Sequence, residues 1–343
     1  MKVVHIITGL GDGGAEHTLF KVCKYDSLNK HIVISLKDSG KYFLLLKKLG
    51  VKVYCLNINF FSLNKFFFLI KLLRILKPDI VQTWLVHADF LGSIAARLTG
   101  IKNIVWNVRY SKIELGKAKL MTILIIKILA KLSYFFPKSI IIVSKKAKKI
   151  YEIIGYDKRK LKFIPNGYDL SILKVNKLHK KNFKKKINSI STTPLIGCVA
   201  RYDPLKDHSN LLKALSFLKK KKINFLCVLI GTNINKNIKL IKEIKKLKLN
   251  NYVKLLGPTK DISKVMNGLD VHILSSSAEG FPNVVAEAMA FKTPCVVTNV
   301  GDASHIVGKT GWVVPPNNHI KLALGIEKAL IDLASKNWSK KCN

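Results

Sequence analysis

The sequence predicts an α/β protein made of two doubly wound domains, and three observations support this fold class. The chain has 343 residues, which is more than one hydrophobic core usually supports. Short β-rich runs alternate with helical patterns along most of the chain, as in parallel sheets with crossover helices. The runs are almost continuously apolar, which is typical of strands covered on both faces.

The first half of the chain predicts one such domain over residues 1–170. Apolar runs there are separated by stretches with helical periodicity, which is the order that βαβ units require. The predicted strands of this domain are residues 3–8, 31–36, 51–56, 80–83, 103–108, 139–143 and a short run at 163–164.

A polar, basic stretch over residues 171–193 is interpreted as a linker, because the apolar periodicity lapses there. A second domain then fills residues 194–343. Ligands of doubly wound sheets bind beyond the carboxyl ends of the strands, so we expect the two domains to face a ligand-binding cleft. The predicted strands of the second domain are residues 195–200, 225–231, 253–256, 271–274, 295–298 and 311–314.

The chain is strongly basic. It has 60 Lys and Arg against 20 Asp and Glu, a formal net charge of +40. Such a field attracts nucleic acids, anionic lipid headgroups or phosphorylated substrates, although a coding bias toward solvated lysines accounts for the charge equally well. We expect no nucleic-acid partner, because the sequence shows no zinc-ligand spacing, aromatic-basic platform or helix-turn-helix pattern.

The cysteines are scattered and never form a C-x-x-C pair, which predicts reduced thiols rather than disulfides or a zinc site. We therefore expect no zinc site at these thiols. Separately, we expect no cofactor. The six cysteines are Cys23, Cys55, Cys198, Cys227, Cys295 and Cys342.

The N-terminus has the pattern of a strand rather than a secretory signal, so we expect a cytoplasmic protein. The most apolar stretches, residues 63–76 and 120–136, are interrupted by basic residues and predict amphipathic helices rather than membrane spans. Such helices either cover a sheet or lie in the plane of an anionic leaflet. We expect peripheral association with the inner face of the cytoplasmic membrane.

A glycine-rich segment follows the first strand. Gly9, Gly11, Gly13 and Gly14 allow backbone amides to approach a phosphate at a helix N-terminus. Gly9, Gly11 and Gly14 formally satisfy G-x-G-x-x-G, and Asp38 follows the second strand as a nicotinamide-cofactor enzyme would require. A tight strand-to-helix turn explains the same glycines equally well.

Two glutamates follow the predicted strand 271–274. Glu279 lies in a Gly/Pro loop and Glu287 in the helix after it, so both are expected near one helix N-terminus at the carboxyl edge of the sheet. Carboxylates accept hydrogen bonds from vicinal hydroxyls, which suits one for a sugar and the other for a ribose.

Two cations follow the first strand of the second domain. Arg201 lies at its carboxyl end and Lys206 in the next loop, where both are well placed for a diphosphate. A surface ion pair of Arg201 with Asp203 or Asp207 is the alternative interpretation.

Taken in order, these motifs resemble glycosyltransferase family 4, which comprises retaining enzymes of the GT-B type with two Rossmann-like domains. The resemblance extends from residue 1 to about residue 330, and its most specific part is E-G-F-P-N-x-x-x-E at 279–287. Gly-Gly-Ala-Glu at 13–16 and Pro-Asn-Gly at 165–167 also match. Residues 84–89 and 301–303 are similar to members that build capsular, lipopolysaccharide or other surface glycans.

The resemblance implies roles for these residues. Arg201 and Lys206 would hold the donor diphosphate and stabilise the leaving nucleotide without a metal, while Glu279 would contact the transferred sugar and Glu287 the ribose. The remaining implied contacts are Gly280, Phe281, Pro282 and Asn283 in the donor loop, and Gly11, Gly13, Gly14 and Asn166 at the phosphate and acceptor loops.

The chain departs from the family pattern in two places. Many members carry a His-Asp or similar pair after the fifth strand, where this chain has Asn107-Val108-Arg109. His87, after the fourth strand, or Arg109 is then expected near the reacting centre. The family's long C-terminal helix, which returns to the first domain, does not follow residues 326–334, so we expect altered domain closure.

We therefore expect a retaining glycosyltransferase that moves a hexose or N-acetylhexosamine from a nucleotide sugar, UDP-linked by preference, to a lipid-linked or surface-glycan acceptor. Two alternatives remain open. One is a nucleotide-sugar epimerase of related architecture, and the other is a catalytically weak sugar-nucleotide-binding scaffold in a glycan assembly complex.

Overall fold

The structure is a computed structural model that describes residues 1–37, 39–58, 62–109, 120–190, 192–259, 261–335 and 338, without the side chain of residue 177. Asp38, the acidic residue of the formal cofactor pattern, and Cys342 lie outside the described residues. The chain divides into two compact units, Met1–Asn166 and Gly167–Asn343.

The first unit is built on a parallel sheet of seven strands in the order β3-β2-β1-β4-β5-β6-β7. The strands are β1 (Lys2–Ile7), β2 (Lys30–Ser35), β3 (Lys52–Cys55), β4 (Ile80–Trp84), β5 (Ile104–Val108), β6 (Ser139–Ile142) and β7 (Leu161–Phe163). β1 pairs with both β2 and β4, so the strand order changes direction at β1 in a doubly wound topology. Every predicted strand of this unit is confirmed, with its ends shifted by at most two residues.

Helices cover both faces of this sheet. They are α1 (Gly14–Tyr25), α2 (Lys41–Lys48), α3 (Leu63–Leu76), α4 (Val86–Leu98), α5 (Leu120–Leu132) and α6 (Lys145–Ile154). Neighbouring residues of a strand point to opposite faces, so Ile6 packs with α3 to α6 and Ile7 with α1 and α2. The two apolar stretches predicted as helices are α3 and α5. No helix within the described ranges is long and apolar enough to span a membrane.

The second unit contains a parallel sheet of six strands in the order β10-β9-β8-β11-β12-β13. The strands are β8 (Leu195–Val199), β9 (Leu226–Ile230), β10 (Val253–Leu256), β11 (Val271–Leu274), β12 (Cys295–Thr298) and β13 (Trp312–Val314). The change of direction lies at β8, which pairs with β9 and β11. All six predicted strands are confirmed, because continuous apolar runs bounded by polar turns specify a buried parallel strand.

The helices of the second unit are α7 (Lys177–Lys186), α8 (His208–Lys220), α9 (Ile238–Lys246), α10 (Ile262–Gly268), α11 (Asn283–Ala290), α12 (Ala303–Val307) and α13 (His319–Ala334). One face of the sheet is covered by α8, α9 and α13. The other face is covered by α7, α10, α11 and α12. The sheet is therefore buried on both sides, as its apolar strands indicate.

Residues 171–193 contain a packed helix where the sequence analysis expected only a basic linker. Helix α7 lies against α10, with Phe183 and Ile187 only 7% and 6% exposed. Lys180 and Lys184 both donate to the carboxylate of Asp270 at 2.8 Å. Six of the ten residues of α7 are Lys, so its few buried apolar side chains are too sparse to produce a visible periodicity.

A buried carboxyl group lies beneath α4 in the first unit. Asp89 is 1% exposed, and the Thr83 hydroxyl donates to its Oδ1 at 2.6 Å. Burial raises the pKa of Asp89 well above its usual range. An unfolded aspartate releases its proton near about pH 4, so above that pH the folded state binds more protons than the unfolded state. The contribution of Asp89 to the free energy of unfolding therefore falls as the pH rises.

We predict that Asp89→Asn flattens the pH dependence of stability. The amide keeps an Oδ1 acceptor for Thr83 and has no charge to bury. The substitution should therefore raise the free energy of unfolding, relative to the parent, more at about pH 8 than at about pH 5. Urea unfolding monitored by circular dichroism measures this difference. Asp12→Asn, at an exposed carboxylate paired with Lys41, is the control and should leave the slope unchanged. An equal loss of stability at every pH would contradict the prediction.

Candidate functional site

Lys206 and Glu279 meet at the carboxyl edge of the second sheet. Lys206 ends a short 3-10 helix, Pro204–Lys206, beyond β8, and Glu279 lies in the loop after the neighbouring strand β11. Nζ of Lys206 donates to Oε1 of Glu279 at 2.6 Å, and the two side chains are only 23% and 13% exposed. Partial exclusion of water makes this ion pair stronger than a typical surface pair.

Serine and threonine hydroxyls fix the positions of both partners. The Ser276 hydroxyl donates to the same Oε1 of Glu279 at 2.7 Å, and the Ser275 hydroxyl donates to the carbonyl oxygen of Lys206 at 2.8 Å. Thr298, at the end of β12, donates to the carbonyl oxygen of Ser276 at 2.7 Å. The orientation of the Glu279 carboxylate is therefore anchored to the sheet through two strands.

The loop that carries Glu279 is closed from the other side by Gly301. This glycine has φ +50°, and a Cβ there would overlap the carbonyl oxygens of Glu279 and Gly280. The amide of Asp302 donates to the carbonyl oxygen of Gly280 at 3.1 Å. Only glycine satisfies both the left-handed backbone and this close approach.

Arg201 follows β8, and its side chain is 52% exposed. It donates to Oδ2 of Asp203 at 3.1 Å, so the ion pair that the sequence left open as an alternative is formed. Asp203 also accepts from the amide of Leu205 at 2.9 Å and so caps the short helix that positions Lys206. The exposed guanidinium remains accessible to an anion at the same edge, because a surface pair of this kind is weak.

The predicted donor loop leads directly into α11. Pro282 is the N-cap of this helix and makes no side-chain cap hydrogen bond, while the Tyr168 hydroxyl donates to Oδ1 of Asn283 at 2.7 Å. Gly280, Phe281, Asn283 and Glu287 are half-buried and Pro282 is buried. Glu287 lies one turn into the helix, on the same loop-helix unit as Glu279.

Arg109 is the centre of a polar cluster in the first unit. It follows β5, and its Nη1 donates to Thr18 Oγ1 at 2.9 Å and to Asn166 Oδ1 at 2.8 Å. Its Nε donates to Asn107 Oδ1 at 2.9 Å, and the guanidinium carbon lies 5.2 Å from the centre of the Trp84 ring. Arg109 thus connects α1 and the ends of β4 and β5 with the residues after β7. Its contact with Asn166 joins two of the predicted site residues.

The glycine-rich loop after β1 leads into α1, whose N-cap is Gly13 and whose first residue is Gly14. None of the loop glycines is among the described residues with a positive φ. A Cβ added at Gly11 would meet nothing within 4 Å. There is therefore open space beside Gly11, whereas a Cβ at Gly13 would overlap the Glu16 carboxylate. Such space is what the approach of a ligand to backbone amides requires.

His87 lies in the first turn of α4, at the carboxyl edge of the first sheet. Its pKa is lowered by partial burial and by the charge of Lys37. Leu85, two residues earlier, has φ 74° and ψ 155°, a backbone region used almost only by glycine. A strained backbone of this kind costs about 1–3 kcal/mol and often occurs at functional sites, which makes this turn a candidate in its own right.

The described residues bring one set of potential metal ligands together, namely His5, Cys23 and His31. Trp84 Nε1 donates to His5 Nδ1 at 3.3 Å, so His5 donates through Nε2 to His31 Nδ1 at 2.9 Å, and His31 Nε2 donates to the carbonyl oxygen of Asp26 at 3.1 Å. Burial lowers the pKa of His5 to about 3 and raises that of Cys23 to about 12. These groups fit a neutral hydrogen-bonded chain better than a metal centre, since metal binding needs a thiolate and unoccupied ring nitrogens.

The predicted residues therefore fall into two groups. Lys206 with Glu279, and Arg109 with Asn166, are brought into direct contact. The others lie in the loops that follow the strands, or in the helices that follow those loops. Those of the second unit are Arg201, Gly280, Phe281, Pro282, Asn283 and Glu287, and those of the first are Gly11, Gly13, Gly14 and His87.

Sequence reasoning missed the residues that hold these groups in place, namely Thr18, Trp84, Tyr168, Ser276 and Thr298. The serine run 275–277 beside Glu279 was a local signal for one of them. The others come from distant strands and helices, so no spacing along the chain reveals them.

Two protein families match the chain, one over each unit. Residues 4–172 match the family described as Glycosyltransferase Family 4, and residues 179–341 match the family described as Glycosyl transferases group 1. Together the two matches cover almost the whole chain.

Two similar proteins carry specific names. The UDP-Gal:alpha-D-GlcNAc-diphosphoundecaprenol alpha-1,3-galactosyltransferase of Escherichia coli is 26% identical over 90% of this chain and 79% of its own length. The N,N'-diacetylbacillosaminyl-diphospho-undecaprenol alpha-1,3-N-acetylgalactosaminyltransferase of Campylobacter jejuni is 26% identical over 79% of this chain and 73% of its own length.

The fold is also found in solved structures. HepE of Anabaena, in its complex with UDP-glucose, superposes with a TM-score of 0.85 at 22% identity, over 97% of this chain and 91% of that chain. WaaG, a glycosyltransferase involved in lipopolysaccharide biosynthesis, gives a TM-score of 0.74 at 13% identity, over 99% of this chain and 94% of that chain. The chain therefore has the GT-B fold.

We predict that Gly301→Ala distorts the Glu279 loop and lowers the thermal unfolding midpoint. Gly308→Ala is the matched control in the same unit, because Gly308 also has a positive φ, 51°, but a Cβ there would meet nothing within 4 Å. Both variants incur a backbone cost of about 1–2 kcal/mol or more, and only Gly301→Ala adds the overlap with two carbonyl oxygens. Scanning calorimetry measures the difference. A smaller loss for Gly301→Ala than for Gly308→Ala would show that the close approach is unimportant.

Proposed function

Because the chain belongs to glycosyltransferase family 4, we propose that it transfers a hexose or N-acetylhexosamine from a UDP-linked donor to a lipid-linked or surface-glycan acceptor with retention of configuration. The observation that carries this proposal is the contact of Lys206 with Glu279 at the carboxyl ends of two paired strands. The contact supports the proposal because a cation attracts a diphosphate and a carboxylate accepts hydrogen bonds from sugar hydroxyls.

The donor side of the reaction rests on charge. Lys206 and the accessible guanidinium of Arg201 lie on the loop after β8, and both attract the diphosphate of a nucleotide sugar. As the bond to the sugar breaks, negative charge grows on the departing nucleotide diphosphate. Cations held in place before the reaction stabilise that charge with little reorganisation. We expect these two side chains to perform this work without a metal ion.

The carboxylates supply selectivity for the donor. Glu279 accepts hydrogen bonds from both Lys206 and Ser276, and these two bonds fix the orientation of its carboxylate. A sugar hydroxyl that donates to Glu279 would then meet a preoriented acceptor, which lowers the entropy cost of binding. Glu287, half-buried on α11, is proposed to accept from the ribose hydroxyls.

The acceptor side is proposed to lie at the Arg109 cluster of the first unit. The E. coli and C. jejuni relatives are named for acceptors that carry a diphosphoundecaprenol or diphospho-undecaprenol group, and such a group is anionic. Arg109 is a cation that follows β5 at the carboxyl edge of its sheet, the edge that also carries the glycine-rich loop after β1. The positive charge of Arg109 suits the diphosphate of an acceptor of this class. Such acceptors are lipids, so we propose a peripheral position on the inner face of the cytoplasmic membrane.

We predict that Arg201→Ala and Glu287→Ala each weaken binding of UDP-sugars by about ten-fold to a hundred-fold, the effect of one charged hydrogen bond. Saturation-transfer NMR against UDP-, GDP- and ADP-sugars, followed by titration calorimetry, measures the loss. Arg159→Ala is the control for Arg201→Ala, since each arginine pairs with an aspartate two residues away. Glu327→Ala is the control for Glu287→Ala, since Glu327 is a half-buried glutamate on α13. Unfolding midpoints check that all four variants are folded.

The outcome separates the remaining interpretations. If the parent protein binds a sugar nucleotide, both variants lose that binding, and the parent slowly releases a sugar of retained configuration, the transferase interpretation is supported. Binding without turnover, with any offered acceptor, would favour the scaffold. Donor epimerisation without an acceptor would favour the epimerase. If no sugar nucleotide binds, the proposed donor site is wrong.

Arg109→Lys should lower turnover by about ten-fold or more while leaving donor affinity unchanged. Lysine keeps the positive charge but cannot reproduce the guanidinium fork that bonds Thr18, Asn107 and Asn166. Initial rates with varied donor and varied acceptor, compared with Arg159→Lys, measure the effect. A rise in the donor KM with an unchanged acceptor dependence would place Arg109 at the donor instead.

A further inference from the structure

The outer face of helices α3, α4 and α5 exposes large apolar side chains, and we call it the α3–α5 face. On α3, Phe67 is 64% and Phe68 50% exposed. Leu120 and Leu124 on α5 are 86% and 52% exposed, and Phe135 just beyond it is 72% exposed. The helices lie side by side, because α4 packs against both α3 and α5. The exposed residues therefore belong to one side of one layer.

On α3 and α5 the exposed apolar residues recur with helical spacing, so each of these two helices has an outer apolar face as well as an inner one. The inner face of α3 carries Leu69 and Leu73, which are fully buried in the core. Its outer face carries Phe67, Lys71 and Ile75, at intervals of four residues. A helix that only covers a sheet needs one apolar stripe, with a polar face toward water. The second stripe therefore has no role in the fold of this unit.

Positive charge surrounds the exposed apolar residues. Lys71 and Arg74 are exposed on α3, Lys127 and Lys131 on α5, and Lys138 follows α5. The sequence contains no Asp or Glu at all in residues 39–78 or 115–151. The face thus combines aromatic and aliphatic side chains with charges of a single sign, the composition of helices that lie in the surface of an anionic bilayer.

The position of the face relates it to the proposed acceptor side. In a parallel sheet each helix starts near the carboxyl end of the preceding strand. The first turns of α3 and α5 therefore lie at the edge that also carries His87 and Arg109. Leu63 on α3 and Leu120 and Met121 on α5, which occupy these first turns, are 72%, 86% and 48% exposed.

We propose that the α3–α5 face docks the first unit onto an anionic phospholipid leaflet, with its apolar side chains inserted among the headgroups. Charge complementarity selects this occupant. A second copy of the same face would bring like charges together, which costs energy. A nucleic acid would satisfy the lysines but leave the exposed Phe and Leu side chains without an apolar environment.

The proposal deepens the proposed function, because a leaflet is where a lipid-linked acceptor would reside. Its test is independent of that function, since vesicle binding needs neither donor nor acceptor. Failure of sugar transfer with intact vesicle binding would count against the transferase alone, and the reverse result would count against the docking face alone.

The experiment is co-sedimentation of the full chain with vesicles of phosphatidylglycerol and phosphatidylcholine, compared with vesicles of phosphatidylcholine alone. The apolar variant is Phe67→Ser, Leu124→Ser, Phe135→Ser. Its control is Leu178→Ser, Ile238→Ser, Ile331→Ser, at second-unit residues that are 68%, 69% and 60% exposed. We expect the apolar variant to reduce partitioning at least about ten-fold and the control to leave it unchanged.

The charge variant is Lys71→Gln, Lys127→Gln, Lys131→Gln, and its control is Lys239→Gln, Lys242→Gln, Lys246→Gln, at exposed residues of α9. Each lysine near an anionic surface contributes about five-fold to partitioning, so we expect a loss of about a hundred-fold from the charge variant and much less from its control. Added salt should reproduce this loss.

Three results would overturn the proposal. One is equal binding to neutral and anionic vesicles, and another is an equal loss in the variants and their controls. The third is a protein that sedimentation velocity shows to be a dimer and that the apolar variant converts to a monomer, because the face would then be an interface between two copies of the chain. Unfolding midpoints equal to that of the parent confirm that exposed positions were changed without loss of the fold.

Discussion

Both sheets are parallel and buried on both faces, and this constraint decides where the protein can present chemistry. Every residue of β9, for example, is buried. Backbone groups inside the sheets are used in strand pairing, and their side chains form the core. Polar groups that can meet a ligand are therefore restricted to the loops beyond the strands. Lys206, Glu279 and Arg109 all occupy this type of position, although they lie in different units and on different strands.

Two titratable groups in the interior of the first unit, Asp89 and His5, are kept neutral. Burial holds the pKa of Asp89 well above its usual range and lowers that of His5 to about 3, and both side chains are hydrogen-bonded. An uncompensated charge there would cost several kcal/mol, on the order of a large part of the total stability of a domain. Charge is consequently concentrated at the edges and on the outer helix faces, where a substrate or a lipid surface can use it.

The separation of an apolar interior from charged edges and outer helix faces also describes where the net charge of +40 lies. At the carboxyl edge of the second sheet, Lys206 is held by a carboxylate and by a chain of hydroxyls, so its charge is fixed in space. On the α3–α5 face the lysines are exposed, and exposed apolar side chains occur on the same helices. A fixed cation suits recognition of one diphosphate, whereas exposed cations suit attraction to a surface with many charges.

The sequence by itself determined the two-domain α/β fold, its strands, and the Glu279 to Glu287 motif, because apolar runs and glycine-rich turns are local patterns. It did not show that α7 packs within the second unit, since Phe183 and Ile187 are hidden among lysines. Only the tertiary structure decided that Lys206 bonds Glu279 and that Arg109 bonds Thr18 and Asn166. Those contacts join residues up to 91 positions apart, and the geometry of parallel strands, not their spacing along the chain, brings them together.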